Sequence, residues 1–146
     1  MKKLLLILAL LCFSTEAFAA RTTGPDTIIA STTLDADPTS ASGTKEIKSA
    51  DKTAIFVTYD ETEVGGISAA VTIDVSQDNS TWLDAPFYDT AGGATLQTSE
   101  TLSADGNYVL WLPSELPVKY IRVVIAATGS DADDTAVVSA KIITQE

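Results

Sequence analysis

Carboxylates and aromatic rings carry whatever chemistry this sequence has. Three aspartates crowd one loop: Asp131, Asp133 and Asp134 in Gly129-Ser130-Asp131-Ala132-Asp133-Asp134. Hard oxygen ligands on a short segment suit calcium. The spacing lacks the glycine and terminal glutamate of an EF-hand, so a solvated acidic loop is the competing reading. No cofactor other than calcium is suggested. Asp60, Glu61 and Glu63 make a second acidic turn, and Asp35 and Asp37 solvate the N-terminal region. The aromatic candidates are Trp82, Trp111 and Tyr120. An exposed Trp or Tyr ring stacks on the apolar face of a sugar. Trp111 alternates with Leu110 and Leu112, so one of the two sets must face away from the core. Trp111 and Tyr120 are therefore the ligand-binding candidates. Trp82, placed just after a turn, reads instead as a plug in the core or between sheets.

Much other chemistry is excluded. The chain has no His and a single Cys, Cys12, so serine-triad and thiol mechanisms are not available in their usual forms. Glycoside hydrolysis needs two carboxylates at a fixed separation across a cleft, and no spacing here sets such a pair. Asp74 and Asp84 read as outward-facing strand residues. Arg122, on a strand opposite Ile121 and Val123, reads as the partner of a carboxylate. A protein that is not an enzyme is expected.

The N-terminus reads as an export signal. Lys2 and Lys3 precede an apolar run from Leu4 to Phe13, and Ala17-Phe18-Ala19 supplies the small-x-small cleavage pattern. The apolar run is about ten residues, half of what a membrane-spanning helix needs. Leu11 ahead of Cys12 does not fit a lipoprotein signal, so Cys12 reads as apolar filler. Cleavage after Ala19 removes Met1 and Cys12 and leaves 127 residues with 7 basic and 19 acidic groups. That charge opposes nucleic acid and anionic lipid as partners. The protein is expected outside the cell, at its surface or in the periplasm.

Strand signals fill the remainder. Residues 20–43 read as a Thr/Ser-rich extended arm or edge strand, with Ile28, Ile29 and Leu34 its main apolar residues. Residues 44–146 then form a single domain. Thr53–Tyr59 is β-branched and aromatic. Val71, Ile73 and Val75 alternate with Thr72, Asp74 and Ser76, and Ile121, Val123 and Ile125 alternate with Tyr120, Arg122 and Val124. Asp78-Asn79-Ser80 predicts a tight turn into Thr81-Trp82-Leu83, and Pro113 stops the strand that starts at Tyr108. No segment keeps helical periodicity for three turns. Seven or eight short strands without crossover helices predict an all-β antiparallel sandwich or jelly roll.

From Val71 to Trp82 the sequence Val-Thr-Ile-Asp-Val-Ser-Gln-Asp-Asn-Ser-Thr-Trp resembles a motif of discoidin-type and carbohydrate-binding jelly-roll modules, in which alternating valines lead into Ser-x-Asp-Gly-x-x-Trp. Asn79 stands where those modules have Gly. Lys119-Tyr120-Ile121-Arg122-Val123 resembles their later Ala-Arg-Tyr-Ile-Arg-Val strand. The same two elements occur in small phage virion proteins of decoration or fibre type. The resemblance spans about Ala69 to Thr128 and implies the jelly-roll fold. On the residues and this resemblance, the expected role is association: surface decoration or self-assembly into an extracellular, virion-type structure. The alternative is a carbohydrate-binding module whose partner is a polysaccharide.

Overall fold

The computed structural model describes residues 22–35, 39–47, 52–62, 66–89, 95–113, 117–129 and 134–145. The leader with Cys12, together with Asp37, Glu63, Asp131 and Asp133, lies outside the described residues.

Nine strands follow one another: β1 (Thr22–Asp35), β2 (Ser40–Glu46), β3 (Lys52–Glu61), β4 (Ile67–Ser76), β5 (Leu83–Asp84), β6 (Ser99–Leu102), β7 (Gly106–Trp111), β8 (Tyr120–Gly129) and β9 (Thr135–Gln145). They build two antiparallel sheets. The first has the order β1-β9-β3-β7. The second has β2-β8-β4, with β5 and β6 sharing the far edge of β4. The chain is an antiparallel β-sandwich.

Period-two alternation explains the layering. Ile55 and Val57 of β3 and Val138 and Ala140 of β9 point inward from the first sheet. Val71 and Ile73 of β4 and Val123 and Ile125 of β8 meet them from the second, and all eight are fully buried. Phe87, Leu102 and Leu110 fill the interior further. A one-residue slip in any of these strands would turn its apolar set to solvent.

The Thr/Ser-rich N-terminal stretch supplies one edge strand to each sheet. β1 pairs with β9, burying Ile29 and Leu34. β2, which runs across position 43, pairs with β8 in unbroken register from Ser40 to Glu46. Pro25 is tolerated in β1 because an edge strand leaves half of its N–H groups unpaired. The two edge strands approach so closely that a Cβ at Gly43 would lie 1.7 Å from the Ile28 carbonyl oxygen. Only glycine fits there. Beside it, the Lys45 ammonium meets the Asp26 carboxylate at 2.8 Å across the seam between the sheets.

Candidate functional site

The outer face of the first sheet carries the candidate site, and register alone sets its rows. Ile143, Ala54 and Trp111 form one row across β9, β3 and β7. Lys141, Phe56 and Val109 form the next, and Ser139, Thr58 and Asn107 the third. Trp111 is 46% exposed while Leu110 and Leu112 are buried, so of the two alternating sets Trp111 is the one that faces away from the core. Its backbone is fixed by two hydrogen bonds: its N–H donates to the Tyr88 carbonyl at 2.8 Å, and the Tyr88 N–H donates back at 2.9 Å. Phe56 and Ile143, each half-buried, make a ridge between two shallow grooves. One groove, of about 180 Å³, runs beside Trp111, Lys52 and Gln145. The other, of about 300 Å³, runs beside Thr58, Asn107, Ser139 and Lys141. Each groove holds one lysine, and no described Asp or Glu lines either. Thr58 Oγ1 donates to Asn107 Oδ1 at 2.9 Å, which fixes that rim. Flat aromatic surface bordered by hydroxyl, amide and ammonium groups can bury apolar area while orienting a polar partner.

Tyr120 lies on the second sheet, away from Trp111, so the two candidate aromatics do not share a face. The Lys119 ammonium sits 5.2 Å from the Tyr120 ring centroid. On this second outer face the two motif segments meet. Arg122 donates from Nε and Nη2 to Asp74 Oδ2 at 2.9 and 2.6 Å, and its guanidinium lies 4.5 Å over the Trp82 ring. Two expectations are corrected here. Trp82 is not a core plug: it is half-buried on the outside of the sheet, stacked on Arg122. Asp74 has the outward parity its alternation gives, yet it is buried at 7% exposure beside the Arg122 guanidinium. Asp74 is also directly opposite Asp84, a like-charge pair that would repel without Arg122. The pairing of Arg122 with a carboxylate is as the sequence predicts.

The turn between these parts is self-contained. Asp78 Oδ1 accepts from the backbone N–H groups of Ser80 at 2.9 Å and Thr81 at 2.8 Å, and from Ser76 Oγ at 3.0 Å. Those donors, Thr81 first, hold the Asp78 carboxyl well below the usual carboxylate range. Asn79 has φ 59°, a left-handed conformation that Gly and Asn adopt most readily. This explains why Asn serves where the resembling modules have Gly. The motif residues thus lock a turn onto a strand.

No protein-family model and no curated protein sequence matches the chain. Among solved structures it is similar to the SPBc2 prophage-derived protein YomS, at 13% identity and a TM-score of 0.54, over 85% of this chain and 96% of that one. It is also similar to a chain in the structure of infectious bursal disease virus Gx strain, at 15% identity and a TM-score of 0.48, over 86% of this chain and 32% of that one. The first likeness shows a shared fold, in keeping with the resemblance to small phage proteins.

The acidic turns gather at the end of the sandwich farthest from Lys52. The Glu61 N–H donates to Asp105 Oδ1 at 2.7 Å, and the Ile67 N–H to Glu61 Oε1 at 3.2 Å. A Cβ at Gly66 would lie 1.6 Å from Asp134 Oδ2, so that glycine makes room for the one described aspartate of the calcium candidate. Among the described residues no three His, Cys, Asp or Glu side chains are grouped to hold a metal. Beneath this end the buried Tyr59 donates its hydroxyl to the Ile67 carbonyl at 2.7 Å. Burial, then the charges of Glu61 and Asp105, push its pKa up to about 12. Phe56, Ile143, Lys52 and Lys141 are face residues that no motif marks in the sequence. Their signal was parity: Phe56 falls out of step with Ile55, Val57 and Tyr59.

Proposed function

We propose that the chain is an exported structural β-sandwich that works by association, decorating a larger surface or assembling with its own copies into an extracellular structure of virion type. The observation that carries this reading is the apolar row of Ile143, Ala54 and Trp111, with Trp111 46% exposed. Covering the exposed part of one Trp contributes about 2–3 kcal/mol at roughly 25 cal/mol per Å². Exposed aromatic surface continuous with other apolar side chains marks interaction faces. Export rests on the leader pattern, and a prophage-derived protein of the same fold supports a virion-type role. No catalytic step is assigned: the buried carboxylate Asp74 is held by Arg122.

The test is sedimentation of the exported protein beside Trp111→Glu, with thermal melting to confirm that the variant folds. The wild type is expected to associate and the variant to remain a single copy. A wild type that binds nothing and stays monomeric would overturn the reading. A second reading, carbohydrate binding, is favoured by Thr22 and Gln145 beside Trp111 and by the rim of Thr58 and Asn107 in the neighbouring groove. Retention of a monomeric wild type on a glycan panel, abolished by Trp111→Ala, would select it.

A further inference from the structure

Charge is unevenly distributed along this sandwich. The chain carries a formal net charge of −11, yet in the two grooves beside Trp111 and Phe56 the described charged groups are lysines alone, while Asp60 and Asp35 take the same outward parity at the far end of the sheet. Lys45, Lys119 and Arg122 are each ion-paired, with Asp26, Glu46 and Asp74. Lys52 and Lys141 have no ionic partner among the described residues, and both stand on the outer face of the first sheet beside Phe56 and Trp111. Four register positions separate them, since Lys52 pairs with Gln145 and Phe56 with Lys141. That is about 13 Å along the strands.

The opposite end has the opposite sign. Asp60 is eight residues along β3 from Lys52, about 26 Å away. Asp35 reaches the same end through its pairing with Thr135, and Glu61 through its pairing with Ala136. Asp105 bonds to Glu61, and Asp134 abuts Gly66. None of the described cations belongs to these strand ends or turns.

We propose that the Trp111 face docks through Lys52 and Lys141 onto the acidic end of a second copy, head to tail. This rests on the association reading above and names its partner. A face-to-face dimer with parallel strands would set lysines against lysines, and one with antiparallel strands would close at two copies. The head-to-tail contact instead pairs each sign with its complement and leaves a free surface at each end; a wild type that stops at two copies overturns it. The chain itself supplies both surfaces. Such a heterologous interface does not exhaust itself in a dimer and propagates to a ring or an open chain. Its on-rate and strength fall as salt rises.

The experiment uses sedimentation velocity on the exported protein and three variants, each checked for cooperative melting: Lys52→Glu/Lys141→Glu, Asp35→Lys/Asp60→Lys and Trp111→Glu. Asp35 and Asp60 are exposed and make no side-chain hydrogen bond among the described residues. The expected result is a wild type that forms species larger than dimers, with each charge variant weakened at least about tenfold. Mixing the two charge variants should then give a species of two copies and no more, because each retains one competent surface. A wild type that associates while Asp35→Lys/Asp60→Lys associates equally well would overturn the head-to-tail contact, with Trp111→Glu showing whether the face reading survives. A wild type that stays monomeric yet is retained on an alginate column would overturn it in favour of an anionic polysaccharide.

Discussion

Replacing Arg122 with Met removes the cation that serves two neighbours at once. Asp74 would keep its burial, at 7% exposure, and its direct opposition to Asp84, but lose its counter-charge. Stranding a fully buried carboxylate costs about 3–5 kcal/mol. The Arg122 side chain is 34% exposed and Asp74 10%, so solvent screens part of this and about 2–3 kcal/mol is the appropriate range. Loss of the guanidinium from the Trp82 ring, 4.5 Å away, adds about 0.5–1 kcal/mol. For a domain of this size such a cost lowers Tm by roughly 10 °C. Urea unfolding followed by Trp fluorescence measures it, because Trp82 itself reports the change. The companion variant Asp74→Leu/Arg122→Met removes both charges and should recover to within about 1 kcal/mol of wild type. If Arg122→Met costs under about 0.5 kcal/mol, or if the double variant is as unstable as the single, the lock described for these residues is wrong.

Other consequences follow from the same geometry. Gly43→Ala should cost about 2–3 kcal/mol or prevent folding, because its Cβ would meet the Ile28 carbonyl at 1.7 Å; guanidinium unfolding checks this. Tyr59→Phe should lose about 1 kcal/mol with the bond to Ile67. Because the folded pKa of Tyr59 is raised to about 12 from 10.0, wild-type stability should be full below pH 10 and fall as pH rises through 12. Tyr59→Phe should flatten that alkaline limb of the melting profile. Asp78 has the reverse sign: its folded pKa is lowered, so its contribution should be present above pH 4 and lost on further acidification. Asp78→Asn should therefore show a weaker dependence of Tm on pH below 4, read by scanning calorimetry.

The sandwich was legible where alternation was clean. Val71, Ile73 and Val75, and Ile121, Val123 and Ile125, face inward as their spacing predicts. β1 was harder to see because three register shifts, between Thr23 and Asp26, Thr27 and Ile29, and Ile29 and Thr32, break the period of two on which such reading depends. Trp82 misled for a related reason. It follows a turn whose left-handed Asn79 decides which face the next residues take, and parity does not carry across such a turn. The Asp74–Arg122 contact joins residues 48 apart, a pairing that register creates and local sequence does not display. Alternation shows that Trp111 faces opposite to Leu110 and Leu112, but it leaves open which of them faces out. The company of Trp111 was not legible either, since Phe56 and Ile143 come from strands that only the sheet order brings beside it.

The proposed association runs through the outer face of the β1-β9-β3-β7 sheet. Sedimentation equilibrium of residues 20–146 at about 0.15 M salt, from roughly 1 μM to 1 mM, measures it. The weight-average mass should climb well above one copy for the wild type and stay at one copy for Trp111→Glu. Equal, single-copy masses for both proteins across that range would contradict it.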